Sequence, residues 1–298
     1  MDKKLFWREF WIMWGLGVAA GAAEAYIAKL PVTPLAHYLF LKSHELHGSS
    51  LAGLEGAEIV LELAITVGVG LLAAHAVGLG APILEAALRG ERDYPNLSSL
   101  LVPTLLVGLI VGAFSVTPDL PVFHPNRQAA HRDAEKILNS PAGAQLSEKL
   151  NRFAGPPLTA GSSALLDVTG AISGALDRLL WISGIAWLLM RIRRDAPGPA
   201  SRGVLWATIL IVAAIGAVFY FTSHAAGNAA MLSAIGNLLI PSDPRWIVAA
   251  RGLLAVLPGS IGLGWLYTRR GLESTIVASL VARTVQHVLV VLVVARFH

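Results

Sequence analysis

Cysteine is missing from this 298-residue chain altogether, which excludes a disulfide framework, a thiolate metal site and a thiol nucleophile. Charge is nearly as scarce. Asp, Glu, Lys and Arg make up 14% of the residues, against about a quarter in an ordinary soluble domain. From residue 203 to residue 242 there is no charged side chain at all, a stretch about twice as long as one crossing of a hydrocarbon core needs. Such stretches recur along the chain, so a signal peptide does not account for them. No internal repeat is evident. What fills the sequence is apolar: 55% of the residues are hydrophobic and the mean hydropathy is +0.62. The reading is an all-α, polytopic membrane helix bundle of about eight crossings, forming one domain over residues 1–298. Its net charge of +4 does not point to nucleic acid, because most cations sit at the ends of apolar stretches, where they set topology.

The expected spans cover residues 6–28, 53–78, 97–116, 158–190, two spans that divide near 223–228, then 246–267 and 274–295. Trp7, Trp11 and Trp14 are spaced as interfacial anchors of the first span, which also carries Glu24. Between the third and fourth spans lies the longest polar stretch, 117–157, read as extramembrane with a surface helix over 131–150. Counting cations puts the N-terminus, the Arg89/Arg92 loop and the Arg191 to Arg202 loop on one side, the cytoplasmic one by the positive-inside rule. Eight crossings would leave both termini there, in a bacterial inner membrane, with Arg269 and Arg270 on the wrong side.

Glu55, Glu58 and Glu62 share one face of the second span, since offsets of three and four residues are neighbours on a helix. Asp167, Asp177 and Arg178 lie within the fourth span, and Arg283 and His287 within the last. An isolated charge at bilayer depth costs about 3 kcal/mol on insertion scales, so buried ions are expected to pair. Gly15, Gly17, Gly21, Gly68 and Gly70 permit close approach of helices, either within the bundle or to a partner. The His44 and His47 pair suits a surface metal only weakly.

Two phrases carry a resemblance: Gly78-Leu-Gly-Ala-Pro-Ile-Leu-Glu85, and Gly264-Trp-Leu-Tyr-Thr-Arg-Arg-Gly-Leu-Glu273 before an apolar helix. With the Pro156-Pro157 entry to a long helix and an aromatic-rich helix ending in His224, their order resembles the CPBP family of intramembrane metalloproteases, the CAAX-protease and bacteriocin-processing group. The resemblance covers most of the chain and implies an eight-helix core with a pocket opening into the membrane. It also implies a Glu pair, a His closing the fifth helix, and a last-helix His with a partner four residues on, which together hold a metal and activate water. Matched position by position, the Glu pair falls on Gly174 and Ala175, the fifth-helix His on His224, and the last His and its partner on Ser279 and Arg283. Only His224 is retained. A lone imidazole does not hold a catalytic metal, and a guanidinium beside it repels a cation.

The expectation is therefore a catalytically degenerate member, with no cofactor, acting as an accessory, scaffold or assembly subunit among membrane-protein partners in the lipid bilayer. In place of the metal, an ion pair of Asp177 with Arg283, joined by Arg178, is expected to fill the pocket. A local Asp177 to Arg178 pair, with Arg283 meeting a second-span carboxylate, stands beside it. His224 reads as a helix-end cap bonded to Ser223 or Asn228, and His287 as core packing. Two further readings stay open. One is an active metalloprotease whose zinc ligands are redrawn from Glu58, Glu62, Asp177, His224 and His287, with Glu55 or His75 as further candidates. The other is a transporter or channel lined by Glu62, Asp177, Arg178 and Arg283.

Overall fold

A computed structural model describes residues 3–28, 49–91, 97–117, 120, 160–196, 198–235 and 245–297. These form eight helices and no strand: α1 Lys3–Ala28, α2 Ser49–Val77, α3 Pro82–Arg89, α4 Leu97–Ser115, α5 Ala160–Arg193, α6 Arg202–Ile235, α7 Arg245–Arg270 and α8 Leu272–Phe297. Five of them, α1, α2, α5, α6 and α8, are long and apolar enough to cross a membrane, and α4 adds a shorter apolar segment. An all-α, multi-pass membrane bundle is the architecture. His44, His47 and almost all of the polar 117–157 stretch, with its expected surface helix, lie outside the described residues.

The division expected near 223–228 does not occur. α6 continues unbroken to Ile235, for 34 residues, or about 51 Å at 1.5 Å per residue. Ser223, Asn228 and Gly227 carry no proline among them, and single polar or small residues do not end an alanine-rich helix. Among the described residues seven helices are 19 residues or longer, and five of these are long and apolar enough to cross a membrane.

Close contacts fix the direction of each. Gly17 and Gly21 of α1 meet Leu63 and Ile59 of α2, which is antiparallel. Gly70 of α2 meets Leu179 of α5, and the Val77, Ala186 and Met190 side chains share a cluster nearer the helix ends, which is parallel. On α4, Gly108 and Gly112 meet Val281 and Val285 of α8 in parallel, while Gly262 of α7 packs on Val107 and Val111 in the opposite sense. Gly216 of α6 meets Val256 of α7, and Gly264 of α7 meets Ile209, again antiparallel.

These senses gather the start of α1, the α2 to α4 connection, the α5 to α6 connection and the α7 to α8 turn at one end of the bundle. Lys3, Lys4, Arg8, Arg89, Arg191, Arg193, Arg194, Arg202, Arg269 and Arg270 all belong to that end. Arg269 and Arg270 thus lie at the same end of the described bundle as the other cations. The start of α1 and the end of α8 lie at opposite ends of the described bundle.

α5 is the central helix, packed against α1, α2, α6 and α8. Its Ala175, Leu176, Leu179 and Ile182 form the main core with Phe6, Met13, Val67, Leu71, Ala74, Tyr267 and Leu272. Small residues set the spacing. A Cβ at Gly112 would lie 2.6 Å from the Ala282 carbonyl oxygen, and one at Gly70 would lie 3.2 Å from the α5 backbone. Gly17 and Gly21 make such contacts too, Gly68 makes an ordinary one, and Gly15 faces open space.

At the cationic end the two phrases behind the family resemblance lock together. The Leu272 N–H donates to Gly80 O (3.0 Å), and Glu273 Oε1 accepts the Leu84 N–H (2.8 Å) in the first turn of α3. Gly271 (φ 87°) presses on Pro82 with no room for a side chain. Gly90, in the left-handed conformation (φ 71°), closes α3 by donating to Ala86 O and Ala87 O.

Candidate functional site

Asp167, Gly170, Gly174 and Arg178 recur at three- and four-residue offsets, which puts them on one stripe of α5. On α8, Ser279, Arg283 and His287 do the same. The stripes meet antiparallel. Arg283 lies over Gly170, where a Cβ would come within 2.7 Å of the guanidinium carbon. Its Nη1 reaches Asp167 Oδ1 at 3.7 Å, and His287 Nδ1 stands 3.1 Å from Asp167 Oδ2. Arg178 folds back to donate to Gly174 O, and the two guanidinium groups are near enough to interact electrostatically. Thus Gly174, one of the positions that the resemblance assigns to a metal ligand, lies under Arg178, and Arg283, another, lies one turn away over Gly170.

The expected pairing of Asp177 with Arg283 is corrected: Asp167 is the partner. Expecting an even number of crossings made α5 and α8 parallel, so moving one turn deeper on both helices brought Asp177 toward Arg283. In the antiparallel arrangement the same step along α8 leads toward the start of α5, where Asp167 lies ten residues, or about 15 Å, from Asp177. Asp177 is exposed, attracted by the neighbouring Arg178 guanidinium and repelled by Glu62, which is exposed on α2. The local Asp177 to Arg178 alternative survives as an electrostatic attraction without a direct contact within 4 Å among the described residues, and no pairing of Arg283 with an α2 carboxylate occurs there. His287 is not core packing; its side chain is 54% exposed and engaged with Asp167.

Ser279 is buried, and its Oγ has no hydrogen-bond partner among the described residues, whereas Ser274, Thr275 and Thr284 on the same helix bond the carbonyl four residues back. Ala175 is wholly buried in the main core. Position 224 lies within α6 and position 55 within α2, but the side chains of His224 and Glu55 are outside the described structure. Glu58 is half-buried and engaged. Among the described residues no group of three or more His, Asp or Glu side chains is arranged to hold a metal ion.

A second polar centre lies at the cationic end. Glu9 of α1 is 1% exposed and bonds His75 Nε2 through Oε2 at 2.8 Å, while its Oε1 has no partner among the described residues. His75 was a candidate partner for the α2 glutamates; it turns to α1 instead. It lines a cleft of about 450 Å³ together with Gly80, Glu85, Tyr267, Arg269 and Arg270, among others. The Tyr267 hydroxyl is buried and 2.8 Å from Ser183 Oγ. Glu85 Oε2 pairs with Arg89 at 3.2 Å, and Oε1 lies over Gly80, where a Cβ would come within 2.6 Å of it. Burial, and next the Glu9 carboxylate, push the Glu85 carboxyl above the usual range, against the opposing pull of His75 and Arg89.

Glu9, Glu85, Tyr267 and Glu273 went unread as site residues in the sequence. Glu9 follows Arg8 among the anchoring tryptophans, where a charge reads as a topology signal, and His75 is 66 residues away. An acidic residue inside an otherwise charge-poor first span was the available signal. No family model matches the chain, and no curated protein or solved structure matches it.

Proposed function

We propose that this chain is a non-hydrolytic membrane scaffold or assembly subunit, built on a degenerate CPBP-like core and working through helix contacts with other membrane proteins. One observation carries the reading: Arg178 and Arg283 lie over Gly174 and Gly170, along the stripe where the resemblance calls for carboxylates and an imidazole around a metal. Two guanidinium groups repel a divalent cation placed there, by about 4 kcal/mol per unit charge at 4 Å and an effective dielectric constant of 20. The surrounding architecture still supplies a large helical surface. By the positive-inside rule the cationic end faces the cytoplasm, with the N-terminus there and the C-terminus across the membrane; a bacterial inner membrane is the matching location.

The test is the metal content of the detergent-purified protein and of its His224→Ala variant, measured by mass spectrometry. Sub-stoichiometric metal in both is the expected result. Stoichiometric zinc that disappears in the variant would restore the metalloprotease reading and send the search for ligands to Glu58, Glu62 and Asp177.

A second reading, a transporter or channel, draws on a different observation. The Arg283 side chain is 42% exposed and that of His287 54% exposed within a spanning helix, and intramembrane charges of this kind ordinarily face water or protein rather than lipid. It requires water to cross the bundle. A Thr284→Cys variant of this cysteine-free chain that resists every impermeant thiol reagent would count against it.

A further inference from the structure

A cleft at the cationic end, lined by residues of α2, α3, α4 and α7, has no part in the proposed scaffold role. Its volume of about 450 Å³ falls within the range of small-molecule sites. Its walls carry both signs of charge. Arg269 and Arg270 stand on one side, and neither pairs with a carboxylate among the described residues. Glu85 stands on the other, with one oxygen held by Arg89 and the second laid over Gly80 in the cleft. Behind the wall, Glu9 and Glu273 each keep a carboxylate oxygen that has no hydrogen-bond partner among the described residues. Leu79, Pro82 and Leu100 supply an apolar edge.

We propose that this cleft binds an ammonium-and-phosphate zwitterion of the phosphoethanolamine class, with its phosphate on Arg270 and Arg269 and its ammonium on Glu85. A ligand carrying only negative charge would satisfy the arginines and be repelled by Glu85, Glu9 and Glu273. One carrying only positive charge would meet the reverse. A headgroup bearing both on a short linker satisfies each wall, and a primary ammonium donates hydrogen bonds to a carboxylate that a quaternary one does not. The cleft sits where α2 and α7 end and α8 begins, α2 and α8 being long and apolar enough to span a membrane, and basic pockets between helix ends commonly hold lipid headgroups. The same chemistry is also present in soluble phosphoethanolamine esters.

Native mass spectrometry of the whole detergent-purified chain tests this, with phosphatidylethanolamine, phosphatidylglycerol and phosphatidylcholine offered in equal amounts. The expected result is retention of phosphatidylethanolamine about tenfold above the other two, as one charge-assisted hydrogen bond provides. Arg270→Gln should lose that preference, Arg270→Lys should keep most of it, and Glu85→Gln should erase the discrimination against phosphatidylglycerol. Melting curves of the variants in detergent establish that each remains folded. Glycerophosphoethanolamine, added as a soluble competitor, separates the two sources: displacement at equal concentration assigns the site to a free zwitterion, and failure to displace assigns it to the lipid. Equal retention of all three lipids, or unchanged selectivity in folded Arg270→Gln and Glu85→Gln, would overturn the proposal.

Discussion

Replacing Gly271 by alanine tests the junction that joins the α2 to α3 connection to the α7 to α8 turn. Two costs add there. The backbone at Gly271 has φ 87°, a left-handed conformation that costs an L-residue about 1–2 kcal/mol, partly offset by the reduced entropy of the unfolded chain. A Cβ would also overlap Pro82 Cδ, lie 2.8 Å from its Cγ and come within 3.1 Å of Gly80 O, which accepts the Leu272 N–H. Proline is rigid, so the strain falls on the turn itself, adding about 1–3 kcal/mol. The sum is about 2–4 kcal/mol, or a fall of roughly 3–6 °C in the melting temperature of a chain of this length.

Gly90→Ala is the matched control. It has the same left-handed backbone (φ 71°) but nothing within 4 Å of the new Cβ, so it loses only about 1 kcal/mol. Gly184→Ala, inside α5 and also facing open space, should gain up to about 1 kcal/mol. Thermal unfolding of the three variants in one detergent, followed by circular dichroism, gives the order. A Gly271→Ala protein that melts with Gly90→Ala would refute the packing contribution and with it the claim that the two phrases are locked together.

Glu85→Gln removes a carboxyl whose folded pKa is raised, so wild-type stability from this group is fully present below about 4.5, its ordinary value, and is lost as pH rises through the folded value. The melting temperature of the variant relative to wild type should therefore climb with pH across that window, and a flat difference would contradict the burial described for Glu85. His75→Ala strands the buried Glu9 carboxylate and should cost about 3 kcal/mol, whereas the double variant with Glu9→Gln should recover part of it. Strictly additive losses in that cycle would mean the pair does not interact. Because the chain has no native cysteine, single cysteines at Thr117 and Ala196 report on opposite ends of the bundle. An impermeant maleimide applied to intact cells should label position 117, with position 196 labelled only in inverted vesicles; labelling of both from one side would refute the placement of the α4 and α5 C-terminal ends at opposite ends of the bundle.

The sequence by itself determined the class of this protein. Scarce charge and recurrent apolar stretches leave a chain no soluble way to bury its surface, and that property is local enough to read from residues 203–242 alone. The helices, the glycines at close approaches and the clustering of cations at span ends were legible for the same reason. Direction was not. Whether α5 and α8 run parallel depends on the parity of the crossings, and one unbroken helix at positions 223–228 changed it, moving the partner of Arg283 from Asp177 to Asp167. The Glu9 to His75 bond and the meeting of Gly271 with Pro82 join residues 66 and 189 positions apart, the second distance read from the neighbouring Leu84 to Glu273 bond. Periodicity reports which face of a helix is apolar; only packing of the helices against α5 decides which polar groups on those faces meet.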